Sequence, residues 1–182
     1  YQGRLAMSGA MSERIRQALP TATPVAAVNG VELLPTVAEG TEVAMCEAGF
    51  NRAVVGGLRH AVAMGADRVV RMDTEEHPVE LLAEALGALG GADLVVLDLA
   101  FDNSTLRPGS ADEYHNLHVL PELLDSFTGH AMTLTGAHGY MAFRGEALAR
   151  LLPFVEAALT LAEQDAAASH RPPVRWAADT VF

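Results

Sequence analysis

The chain has 182 residues, half of them hydrophobic, and a mean hydropathy of +0.19. A chain of that length fits one domain burying about two-thirds of its unfolded surface, and the composition excludes an intrinsically disordered protein. Twelve basic residues, all arginine, stand against 23 acidic ones, for a net charge of −11.

Such a charge repels nucleic-acid backbone and anionic membrane, so neither is expected as a partner. A diphosphate can still bind if a divalent cation stands between the two sets of negative charge. No apolar run reaches the roughly 18 residues of a membrane span and no secretory leader opens the sequence. The expectation is a cytoplasmic protein without a transmembrane segment, for which a homo-oligomer stays open. The one cysteine, Cys46, closes the apolar run Val43-Ala44-Met45-Cys46. It supports no disulfide framework and reads as a core thiol.

In chain order, Met11 to Leu19 has helical spacing, with Met11, Ile15, Ala18 and Leu19 apolar. Val25 to Val28 reads as a strand ended by the turn Asn29-Gly30, and Glu42 to Cys46 as a second strand. Asn51 to Met64 is a predicted helix with Val54, Leu58, Ala61 and Val62 on one face, stopped by Gly65. Arg68 to Met72 is a third strand. Pro78 to Leu89 is a helix that opens on proline and is closed by Gly90-Gly91, and Leu94 to Leu97 is a buried strand. The polar stretch Phe101 to Asn116 contains Pro108-Gly109 and reads as a long functional loop. Helices over Val119–Ser126, Gly145–Leu152 and Phe154–Gln164 complete the pattern. Alternating strands and helices imply one domain over 1–182, with a mainly parallel central sheet covered by helices on both faces. Ligands then belong at the carboxyl ends of the strands.

Just past the third strand stand Asp73, Glu75 and Glu76, followed by His77-Pro78. Carboxylates gathered at a strand end repel one another unless a cation sits between them, and Mg²⁺ or Mn²⁺ bridging to phosphate would supply that charge. The alternative is an acidic loop whose glutamates favour the N-terminus of the next helix. His77 is read as capping or orienting this loop, with metal ligation the lesser alternative.

From Ala48 to Leu99 the chain resembles the family-2 glycosyltransferases, including dolichol-phosphate mannose synthases. The residues that carry this are Gly49-Phe50-Asn51-Arg52-Ala53, Gly65-Ala66-Asp67, Met72-Asp73-Thr74-Glu75-Glu76-His77-Pro78 and Gly91-Ala92-Asp93-Leu94-Val95-Val96. A second block, Thr135 to Leu148 with Phe143-Arg144, resembles the family's acceptor-side segment. The two blocks cover a little over a third of the chain and stand in the family's order.

The resemblance implies a GT-A-type, Rossmann-like α/β sandwich. It also implies transfer of a sugar from a nucleoside-diphosphate-sugar donor to an acceptor hydroxyl or phosphate, inverting and metal-dependent. The acceptor and the sugar are not specified. By position, Asp73 and Glu75 would hold Mg²⁺ or Mn²⁺ and the donor diphosphate. Asn29 and Arg144 join them in the expected donor site. The late segment Trp176-Ala177-Ala178-Asp179-Thr180 resembles the family's Glu-Asp pair and makes Asp179 the candidate base, against the alternative that it caps a helix.

Besides Ala178 in the glutamate position and a loop one residue short before His77-Pro78, three departures bear on activity. Glu75 stands where the motif has aspartate, Asn29 stands in place of an Asp-Asp pair, and nothing before Val25 reads as the family's first strand. They keep open a catalytically inactive, ligand-binding relative. A sugar nucleotidyltransferase shares the layout, but the Gly-rich basic loop of that class is not found.

Overall fold

The computed structural model describes residues 2–28, 37, 39–72, 79–96 and 140–169. Two compact units divide the chain: Tyr1–Leu97 with Gly139–Arg150, and Asp98–His138 with Leu151–Phe182.

The first unit opens on helix α1 (Gln2–Ala18). Strands β1 (Val25–Val28) and β2 (Glu42–Met45) pair in parallel, Val25 opposite Glu42 and Val28 opposite Met45. Helix α2 (Phe50–Ala63) packs on both of them and on β3 (Arg68–Arg71). Its buried residues Val55, Leu58 and Ala61 recur at helical spacing. The helix stops where the sequence predicts. Gly65 takes φ +76°, its N–H donates to the Val62 carbonyl, and the Ala66 N–H donates to the Ala61 carbonyl. Those two bonds satisfy carbonyls of the last turn and form a Schellman closure, for which glycine is the unstrained residue.

A single 3₁₀ turn, Val79–Leu81, leads into α3 (Leu82–Ala88) and then β4 (Leu94–Val96). The helix expected over Pro78–Leu89 thus opens, among the described residues, on a tighter turn than the sequence suggests. Arg14 of α1 reaches Glu80 of the 3₁₀ turn at 3.3 Å, a solvent-exposed pair that adds little to stability.

One strand was absent from the predicted alternation. Met141–Arg144 forms β5, which lies between β3 and β4 and runs antiparallel to both. Its first three residues, and Tyr140 before them, are fully or almost fully buried, so it forms the centre of the core of this unit. The described strands thus form a mixed α/β arrangement of one parallel pair and one antiparallel triplet, in place of the mainly parallel sheet expected. The reason lies in the connectivity. β3 and β4 point the same way, but the strand between them arrives from much later in the chain and enters from the opposite end.

Helix α4 (Gly145–Ala168) follows β5 without a break and carries the chain into the second unit, of which residues 151–169 are described. The two helices predicted on either side of Pro153 are one. Proline removes one N–H donor to the carbonyl four residues back. The buried stripe Leu148, Leu152, Val155, Leu159, Ala162 and Ala166 nevertheless keeps helical spacing straight through it.

Candidate functional site

Antiparallel register decides which residues share an end of the three-stranded sheet. Arg71, Met141 and Val96 stand side by side at one end, and Arg68, Phe143 or Arg144, and Leu94 at the other. The chain leaves the first end from β3 through Met72 and from β4 after Val96, and it enters β5 there through Tyr140. That end is the carboxyl end of β3 and β4, where open α/β sheets bind their ligands. The acidic run 73–76 and the polar stretch 101–116 are joined in sequence to it. Arg71 puts a buried guanidinium there, a group the sequence reading passed over. A basic residue closing an apolar strand just before an acidic run was the available signal.

Of the five residues expected to form the site, Arg144 alone is described. Asn29, Asp73, Glu75 and Asp179 lie outside the described residues, as do His77, the stretch 101–116 and the helix predicted over 119–126. Arg144 pairs across the sheet with Arg68, at the far end of β3 from Arg71. Three residues of strand separate those ends by roughly 10 Å. Its backbone N–H donates to the Asp93 carbonyl, and its guanidinium lies 3.7 Å from the Asp93 carboxylate. Arg150 reaches the same carboxylate at 3.8 Å and also pairs with Glu146 at 2.6 Å. Arg144 is thereby engaged where β5 turns into α4, away from the end to which the acidic run is joined.

A cleft of about 590 Å³ opens beside Arg144, lined by Val62, Asp67, Arg68, Glu146 and the glycines 65, 90 and 145, among others. Both signs of charge face it. Gly145 is tightly constrained: its N–H donates to the Asp67 carbonyl at 2.8 Å, and a Cβ there would overlap the Ala66 carbonyl.

Two protonation states matter to what the described residues can do. Burial pushes the Tyr140 phenol up to about 12, helped by the negative charge of Glu80, so it is a neutral hydroxyl at physiological pH. Burial also raises the Cys46 thiol, outweighing the Val28 backbone and the Arg59 charge that favour the thiolate. Cys46 is half-buried, with Sγ 3.2 Å from the Ala44 carbonyl, so it is a packed thiol rather than a nucleophile.

Among the described residues no three His, Cys, Asp or Glu side chains gather as metal ligands, and no helix is long and apolar enough to cross a membrane. The fit of Mg²⁺ or Mn²⁺ therefore rests on the chemistry of the acidic run, whose hard carboxylate oxygens are the donors those ions prefer. Comparison with protein-family models, with curated proteins and with solved structures returns no match to this chain.

Proposed function

We propose that the chain is a nucleotide-sugar-dependent glycosyltransferase, inverting and metal-dependent, that acts on an acceptor hydroxyl or phosphate. One observation supports this beyond the order of the motifs. Strand β3, which runs into Asp73-Thr74-Glu75-Glu76, is hydrogen-bonded to β5, which comes from the second block about 70 residues later. The two segments that carry the resemblance are thus neighbours, with Met141 opposite Arg71 at the carboxyl end of β3.

In this reading Asp73 and Glu75 hold Mg²⁺ or Mn²⁺, which when bound neutralises charge on the donor diphosphate. Asn29 donates or accepts a hydrogen bond at the nucleoside. Asp179 takes the proton of the acceptor hydroxyl as its oxygen attacks the anomeric carbon and the nucleoside diphosphate leaves. Arg144, also expected in the donor site, stands at the other end of the sheet, 3.7 Å from the Asp93 carboxylate.

The second reading, a ligand-binding relative without catalysis, draws on Glu75 and the uncharged Asn29. Incubation with a panel of uridine- and guanosine-diphosphate sugars and Mn²⁺ tests the proposal, with released nucleoside diphosphate as the readout. Release that is abolished by EDTA is expected. Binding of a nucleotide with no turnover of any sugar would favour the second reading.

A further inference from the structure

We draw no further inference here: the strongest candidate, the edges of β1 and β3 that carry no partner strand among the described residues and share the covering helix α2, carries nothing, because nothing in the structure shows what covers those edges.

Discussion

Tyr140 offers a test at a single side chain. Its phenol titrates near 12 in the folded chain and near 10 when unfolded. Its proton is therefore held more tightly in the native state. The associated stability is fully present below about pH 10 and is lost as pH rises toward 12, at about 1.4 kcal/mol per pH unit. Urea midpoints at pH 8, 10 and 11 should fall steeply above 10 in the parent and less steeply in Tyr140→Phe. Parallel curves would show that this phenol is not the titrating group.

Cys46 can be tested in the same way through its neighbour. A Cβ on Gly56 would stand 2.6 Å from Cys46 Sγ, so Gly56→Ala should destabilise by about 1–3 kcal/mol. Cys46→Ala should recover part of that loss in the double variant, because the atom that clashes is removed. Strict additivity would contradict the contact. At Asp179 the expectation is chemical. Asn keeps the shape and capping ability of Asp without its basicity, so Asp179→Asn should lower transfer about 10²–10⁴-fold and leave donor affinity near the parent's. Turnover within threefold of the parent would remove Asp179 as the base.

Among the elements, legibility followed the strength of the local signal. Helix α2 could be read because apolar spacing and a glycine stop agree. Strand β5 could not, since Met141-Ala142-Phe143 is a short apolar run with no alternation. A central strand buried on both faces shows none. The sequence predicts two helices where α4 is one, because Pro153 is a breaker by local rules, whereas the buried stripe spanning it is a property of the folded chain. The place of Arg144 in the sheet could not be read for a related reason. A motif gives residue type and order, but only strand register shows that Arg144 belongs with Arg68 rather than beside Arg71.

The junction of β5 and α4 makes this concrete. Gly145→Ala should destabilise by about 1–3 kcal/mol, because the new methyl meets the Ala66 backbone rather than a flexible side chain. Gly87→Ala, inside α3 with open space around its Cβ position, should stabilise by roughly 0.5–1 kcal/mol. Urea unfolding of the two variants should move in opposite directions. A stabilised Gly145→Ala would mean that β5 and α4 do not meet Ala66 as described.

For the whole molecule the governing quantity is charge. A chain with a net charge of −11 has little reason to bind a diphosphate unaided, so the proposed function stands or falls on a cation. The overall α/β character and the position of β3 before an acidic run were legible in the sequence. The proposed site residues Asn29, Asp73, Glu75 and Asp179 are read from the sequence and lie outside the described residues. Isothermal titration of uridine and guanosine diphosphate tests the claim most directly, with Mn²⁺ and with EDTA, on the parent and on Asp73→Asn. One nucleotide should bind with Mn²⁺, and either EDTA or the substitution should weaken that binding at least tenfold. Equal affinity with and without metal, or an Asp73→Asn variant that binds like the parent, would contradict it.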